Sequence, residues 1–254
     1  MKGRIFLESV FMVLIAYLFI VKCGSDDIPF DLVDDDVSNT NFEAVESFSF
    51  TREVINFNRV RLESVNGNIE LYSVSGSDSI IIAGEKRVGS ESVEDAEAHL
   101  SEIEVTIQQL AHELYVKSVQ PQVTFGRSYQ IDYTIFLPDN LEVVVKNING
   151  NILLDTINNN VSIVNTNGNI DGSVLLALGG TITIDNNNGN IDLEIPQNSS
   201  ALIALDVTNG TITVDNLDLQ NVESSPTYFY AMLGAGSGVI SLSTVNGNIV
   251  MTGF

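Results

Sequence analysis

A short string, Asn-Gly-Asn-Ile, recurs along this chain and constrains its fold more than any other feature. Five copies and one Asn-Gly-Thr-Ile variant occur, with their glycines at Gly67, Gly150, Gly168, Gly189, Gly247 and, for the variant, Gly210. From Gly150 to Gly210 the steps between glycines are 18, 21 and 21 residues. A period near 20 residues is typical of stacked repeats, in which each unit buries its apolar face against its neighbours.

Apolar residues alternate with polar ones on both sides of each Asn-Gly step. Val143 and Val145 precede Gly150, for example, and Ile152 and Leu154 follow it. This period of two predicts a strand, a corner and a second strand, with one apolar face and one face of Thr, Asn, Asp and Ser. Glycine accepts the positive φ that such a corner requires, and asparagine tolerates it. The sequence therefore predicts an all-β fold, a single-stranded β-helix or β-solenoid with repeats of roughly 20 residues.

An antiparallel meander is the alternative architecture, because Asn-Gly is also the strongest short hairpin signal. The solenoid is favoured because the corner is the same from unit to unit and the period is longer than a hairpin needs. The step from Gly210 to Gly247 is 37 residues, so one unit is irregular. Loop signals occur there at residues 224–227 and 234–238.

The chain divides into three parts. Residues 1–22 are interpreted as a signal or lipoprotein signal segment, residues 23–45 as an acidic tether, and residues 46–254 as the β-solenoid domain, which is repeat-rich from residue 140. Residues 91–102 lack Gly and Pro, have early acidic residues and begin near Ser92, a good helix cap. They predict one short helix in the N-terminal half.

The N-terminal segment has the layout of a secretory signal. Lys2 and Arg4 precede an apolar stretch over residues 10–21, which is short for a membrane span. Cys23 follows and resembles the lipidated cysteine of a bacterial lipoprotein, so it is the candidate site of lipid attachment. Lys22 stands where a small residue is expected, which leaves an uncleaved anchor or plain secretion as alternatives.

The charge distribution excludes several classes of partner. The net charge is −22, with 11 basic residues against 33 acidic ones, and no Lys, Arg or His follows Lys146. Binding to phosphate backbones requires Lys and Arg, so nucleic acid is excluded as a partner. The same deficit disfavours binding to anionic lipid surfaces.

No residue pattern indicates a catalytic, cofactor or metal site. Carboxylates recur singly at similar places in successive units, which is typical of a solvated face; these are Asp155, Asp171, Asp185, Asp192 and Asp206. The alternative that they leave open is a carbohydrate-active enzyme that uses clustered acids. Weak calcium binding beside turns is a second alternative, for Asp171, Asp185, Asp192 and Asp215. His99 and His112 are isolated from other metal-binding residues. The corner asparagines are predicted to bond to neighbouring units, and a ligand-binding row is the alternative.

Several segments together resemble the putative-adhesin family of bacterial envelope proteins, over about residues 44–254. They are Tyr-Thr-Ile-Phe-Leu-Pro at 133–138, the serial Asn-Gly-Asn-Ile units, Ile-Asp-Leu-Glu-Ile-Pro at 191–196, and the C-terminal stretch 236–249. The resemblance implies a β-solenoid displayed outside the cytoplasm, often tethered, with no established enzymatic activity. It implies a non-enzymatic adhesin-like protein in the cell envelope, with a protein or glycan ligand and no cofactor. An envelope-stress component that binds another protein is a further alternative.

Overall fold

The structure is a computed structural model that describes residues 41–254. The predicted signal segment, Cys23 and the tether up to residue 40 lie outside the described residues. Within residues 41–254, the first strand begins at Phe42, four residues before the predicted start of the domain.

The described chain forms nineteen strands, one short α-helix and one 3-10 turn. In chain order these are β1 (Phe42–Glu53), β2 (Arg59–Glu63), β3 (Ile69–Val74), β4 (Ser79–Ser90), α1 (Val93–His99), the 3-10 turn (Leu100–Glu102), β5 (Glu104–Leu110), β6 (Glu113–Val119), β7 (Ser128–Pro138), β8 (Glu142–Asn149), β9 (Ile152–Ile157), β10 (Val161–Asn167), β11 (Ile170–Val174), β12 (Thr181–Asn188), β13 (Ile191–Ile195), β14 (Ala201–Asn209), β15 (Ile212–Asp215), β16 (Leu219–Ser224), β17 (Tyr228–Leu233), β18 (Gly238–Asn246) and β19 (Ile249–Gly253).

The strands form two sheets. Sheet A has the order β1-β4-β7-β3-β9-β11-β13-β19-β15, and sheet B has the order β16-β17-β14-β18-β12-β10-β8-β2-β6-β5. The strands on either side of each Asn-Gly step belong to different sheets, so the step is the corner at which the chain passes from sheet B to sheet A. Strands of units that are neighbours in the sheets pair in parallel, as Ile163 of β10 does in register with Val145 of β8 and Ile184 of β12.

The core lies between the sheets and consists of the apolar side chains that alternate along each strand. Ile163, Ile184, Ile191, Ile240 and Ile249 are fully buried. Complete burial of a branched aliphatic side chain contributes about 1.5–3 kcal/mol. The repeated pattern that predicts strands therefore also produces the main stabilising contact of the domain.

The all-β prediction is confirmed, and the predicted helix is present as α1 and the 3-10 turn. Ser92 caps the helix by accepting a hydrogen bond from the backbone N–H of Asp95. Asp95 also accepts two hydrogen bonds from the guanidinium of Arg127, at 2.6 and 2.8 Å, which ties the helix to the segment before β7. These bonds, together with one from Ser90, hold the pKa of Asp95 well below its usual range.

The order of the strands differs from that of one continuous β-helix, in which each unit would contact the units before and after it in sequence. The last unit, β18 and β19, lies between the unit of β12 and β13 and that of β14 and β15. The 37-residue step contains β16 and β17, an antiparallel hairpin that extends sheet B beyond β14. After the hairpin, the chain re-enters sheet B as β18, which pairs in parallel with both β12 and β14. The sheets are therefore mixed.

Candidate functional site

The six Asn-Gly corners stack along one edge of the domain, as the spacing predicts. A Cβ atom built on any of the six glycines would lie 1.8–2.2 Å from a carbonyl oxygen of the adjacent strand. For Gly189 that oxygen belongs to Gly168, at 2.1 Å. Four of the six glycines also have positive φ, whereas Gly210 and Gly247 do not. Glycine is therefore required at every corner by close backbone stacking, and at four of them by φ as well.

A ladder of side-chain amides runs along the outside of the corners. Five of the Asn residues that precede corner glycines donate from Nδ2 to Oδ1 of the next, at 2.7–2.8 Å, in the order Asn209, Asn246, Asn188, Asn167 and Asn149, and Asn66 is the last acceptor. We call this the outer amide ladder. Nδ2 of Asn66 donates to the carbonyl oxygen of Tyr129. The ladder uses hydrogen-bond donors and acceptors of these amide groups that would otherwise be available to a ligand. The prediction that these asparagines bond to neighbouring units is thus confirmed.

The Asn residues that directly follow the corner glycines form a second amide ladder. Oδ1 of each Asn accepts a hydrogen bond from a backbone N–H of the next strand, at 2.8–3.0 Å, from Asn68 through Asn151, Asn169 and Asn190 to Asn248. Thr211 ends this series, and its N–H donates to Asn248. The variant unit in the sequence is therefore the unit at the end of the stack. Among residues 41–254, an Asn at position 211 would have no further strand of sheet A from which to accept a hydrogen bond.

A buried amide row, formed by Asn147, Asn165 and Asn186, lies inside the corners. These residues pair in register on β8, β10 and β12 and are at most 5% exposed. Their Nδ2 groups donate to corner glycine carbonyls, at 2.9 Å for Asn186 and Gly168 and at 3.4 Å for Asn165 and Gly168. Within residues 41–254 their Oδ1 atoms accept no hydrogen bond. Thr244 continues the row, and Val207 ends it.

An open groove on the outer face of sheet A gathers the acidic residues of the repeats. Its volume is about 370 Å³, and its carboxylates come from Asp155, Asp171, Asp192 and Glu194. Asp171 and Asp192 pair in register on neighbouring strands. Partial desolvation, and then the charge of Asp192, raise the pKa of Asp171. The pKa of Asp171 therefore lies above the ordinary value for an aspartate.

The five aspartates that the sequence singles out occupy two separate surfaces. Asp155, Asp171 and Asp192 meet in the groove, so the expectation that they stand singly is wrong for these three. Asp185 and Asp206 lie on the outer face of sheet B, where they accept hydrogen bonds from Ser243 and Tyr230. The parallel register causes the grouping. Asp171 and Asp192 lie three positions after their corner glycines and pair side by side. Asp155 lies five positions after Gly150 and is exposed on the same face of the sheet.

Glu194 is a further member of the groove, which the recurring aspartates alone do not identify. It lies two residues after Asp192 and therefore faces the same side of β13. The same alternation that places Asp192 outward would have identified it. In the described part of the chain, no three His, Cys, Asp or Glu side chains form a group that could hold a metal ion.

The isolated histidines lie outside this groove. His99 occupies the last turn of α1, where its Nδ1 lies 2.7 Å from the carbonyl oxygen of Asp95. The backbone carbonyl of His112, between β5 and β6, accepts a hydrogen bond from Asn58. Among residues 41–254, no helix is long and apolar enough to cross a membrane.

Comparison with known proteins gives one family and several solved structures. The family model described as Toastrack DUF4097 matches residues 25–252. A structure described as a putative cell adhesion protein from Clostridium sporogenes ATCC 15579 aligns over 83% of this chain and all of that one, at 14% identity and a TM-score of 0.52. A structure described as a putative adhesin from Bacteroides fragilis NCTC 9343 aligns over 81% of this chain and 97% of that one, at 17% identity and a TM-score of 0.28. No curated protein matches the chain.

Proposed function

Because the chain belongs to the Toastrack DUF4097 family, we propose that it is a non-enzymatic, adhesin-like domain of the cell envelope, displayed outside the cytoplasm. A solved structure that shares its fold, at a TM-score of 0.52, is described as a putative cell adhesion protein, which supports this role. We also regard the stack as a β-solenoid whose coils of roughly 20 residues form a rigid spacer and display surface. The ligand is a protein or a glycan.

The observation that carries the proposal is the carboxylate groove on the exposed face of sheet A. Its side chains are held by paired strands, and the two amide ladders fix the corner from which those strands begin. A rigid site loses little conformational freedom when a ligand binds. The carboxylates accept hydrogen bonds from sugar hydroxyls or from basic and amide groups of a protein.

A carbohydrate-cleaving enzyme is the second candidate, and the paired Asp171 and Asp192 are the observation that favours it. Adjacent strands lie about 4.8 Å apart, which is near the carboxylate separation of about 5–5.5 Å in retaining glycosidases. The groove is open, however, and water exclusion strengthens the electrostatic interactions that catalysis uses. Binding without cleavage is therefore the preferred function.

We expect the double substitution Asp171→Asn and Asp192→Asn to abolish or strongly reduce ligand binding. The full chain would be immobilised and exposed to arrays of glycans and extracellular proteins. The matched control is Asp185→Asn with Asp206→Asn, which removes two charges from sheet B. Equal binding by both double variants would contradict a ligand site in the groove. Release of shorter sugars by the wild type would support the enzyme instead.

We also propose that Cys23 is lipidated and tethers the domain to a membrane. Two or more acyl chains hold a protein stably, because each buried CH₂ group contributes about 0.8 kcal/mol. We expect wild-type protein to take up labelled palmitate and to sediment with membranes, and Cys23→Ser to take up no label. An unlabelled wild type that partitions like the variant would refute lipidation. If both sediment with membranes, the apolar segment before Cys23 is the anchor.

A further inference from the structure

The two ends of the stack differ in the elements that cover them. At the end formed by β1, β4 and β5, α1 packs against β1 and β4 and buries Ala96. At the other end, sheet A stops at β15, while sheet B continues through β17 and β16. Sheet B therefore extends two strands beyond the last strand of sheet A in the described part of the chain. This end of the stack therefore has the shape of a step, and the free edge of β15 lies at the inner side of that step.

The backbone of β15 has N–H groups without a strand partner in residues 41–254. The equivalent N–H groups after the other corners donate to a neighbouring strand. After five of the six corners, the N–H of the isoleucine donates to the next strand at 2.9 Å, from Ile69, Ile152, Ile170, Ile191 and Ile249. Ile212 is the isoleucine of the terminal unit, and no strand of residues 41–254 follows it. By the alternation of a parallel ladder, the N–H of Val214 faces the same open side. The edge thus presents two free donors in line.

The same edge leaves apolar surface incompletely covered. Ile212 and Val214 are only partly buried, whereas their partners Ile249 and Met251 on β19 are fully buried. Leu217, Leu219 and Phe229, around the step, are also only partly buried. An added strand would satisfy the free N–H groups and cover these side chains together. Recognition by strand addition uses this combination of backbone bonds and side-chain pockets.

We propose that the open edge of β15 binds an extended segment of a partner protein with basic side chains at alternate positions. Asp215, Asp218 and Glu223 are exposed around the step, and no Lys, Arg or His follows Lys146 to balance them. Charge complementarity therefore selects a basic strand. This inference goes beyond the proposed adhesin-like function, because it concerns a different surface from the groove.

Other occupants fit this edge less well. A second copy would bring the same carboxylates against each other, and the net charge of −22 opposes self-association. Residues 24–45 of this chain are themselves acidic. The outer edge of sheet B, β16, is interrupted by an irregularity between Gln220 and Glu223, which is typical of an edge protected against pairing. A basic segment from another protein is thus the occupant that the charges favour.

The test uses the full chain and a fluorescent peptide of alternating valine and lysine, with binding followed by anisotropy. Val214→Pro removes a free N–H and blocks strand addition, and proline is tolerated where the N–H of an edge strand faces solvent. We expect it to weaken binding at least about tenfold, which corresponds to the loss of one or two hydrogen bonds. A peptide with glutamate in place of lysine is expected not to bind.

Two charge variants provide a second test of the proposal in case Val214→Pro disturbs folding. Asp215→Asn is expected to weaken binding of the lysine peptide, whereas Asp185→Asn, which removes one charge from the outer face of sheet B, is expected to leave it unchanged. Equal weakening by both variants would show non-specific attraction to the acidic surface and overturn the proposal. Unchanged binding by folded Val214→Pro would overturn it too, as would a wild-type dimer that this substitution dissociates.

Discussion

Replacing Gly189 with alanine is expected to destabilise the domain by about 2–5 kcal/mol, although the change adds only one methyl group. The added Cβ would lie 2.1 Å from the carbonyl oxygen of Gly168, and the backbone there has a φ of +136°. Left-handed backbone costs about 1–2 kcal/mol for a residue with a side chain, and overpacking costs typically about 1–3 kcal/mol. Neither cost is easily relieved, because the oxygen belongs to a stacked backbone.

Two further glycines separate these contributions. Gly76 has a φ of +74° and nothing within 4 Å of its Cβ position, so Gly76→Ala tests the left-handed backbone without crowding. Gly210 lacks positive φ, but its Cβ would lie 1.8 Å from the oxygen of Gly247, so Gly210→Ala tests crowding alone. Urea unfolding of the three variants gives the comparison. If Gly189→Ala unfolds at the same midpoint as Gly76→Ala, close stacking is not what requires glycine at the corner.

The corner could be predicted from sequence because its determinants are local. An Asn-Gly step flanked by alternating aliphatic residues indicates two strands and a turn, and the repeated spacing from Gly150 to Gly210 indicates that such turns align. The cap at Ser92 was equally local and equally visible. Each of these features depends on residues within one turn or one unit, where composition and period determine the backbone.

The order of the units could not be predicted, because spacing determines register and not which unit lies beside which. The unit of Asn246 has the same Asn-Gly-Asn-Ile corner as four other units and pairs in parallel with both of its neighbours. Only the tertiary position of the β16–β17 hairpin places it between β12 and β14. The variant Thr211 was visible in the sequence, but its meaning, the end of an amide ladder, required knowing that its unit is terminal.

The acidic groove could be predicted from the sequence only in part. Asp171 and Asp192 are 21 residues apart, the same step as the corresponding glycines, so their alignment follows from the repeat. The sequence predicts a solvated face here and not a shared groove, because single carboxylates recur in successive units. The structure adds the neighbouring Glu194 and the partial desolvation that raises the pKa of Asp171.

The buried amide row leads to the second large expected effect. Asn165 is 2% exposed, and its Nδ2 group lies 3.4 Å from the carbonyl oxygens of Gly150 and Gly168. Asn165→Asp replaces that donor with an oxygen, so a carboxylate would face two carbonyl oxygens in a site without a counter-charge. Such burial raises the pKa of a carboxyl strongly. We expect the substitution to destabilise the domain by about 3–5 kcal/mol at pH 7.

The effect of Asn165→Asp depends on pH with a definite sign. Because the pKa of the introduced carboxyl is higher in the folded state than in the unfolded state, the folded protein binds the proton more tightly. The destabilisation is therefore full above the folded pKa and decreases as the pH falls towards the unfolded value of about 3.9. Chemical unfolding of the variant and the wild type across this range measures the difference directly.

Asn167 provides the matched control, since it lies two residues further along the same strand but belongs to the exposed outer amide ladder. Asn167→Asp removes one hydrogen bond to Asn149, so its cost is expected to be about 1 kcal/mol and to change little with pH. Asn165→Thr is expected to be mild, because Thr244 occupies the same row on β18. If Asn165→Asp and Asn167→Asp lose equal stability with the same pH profile, the amide row does not lie in the dry interior between the sheets.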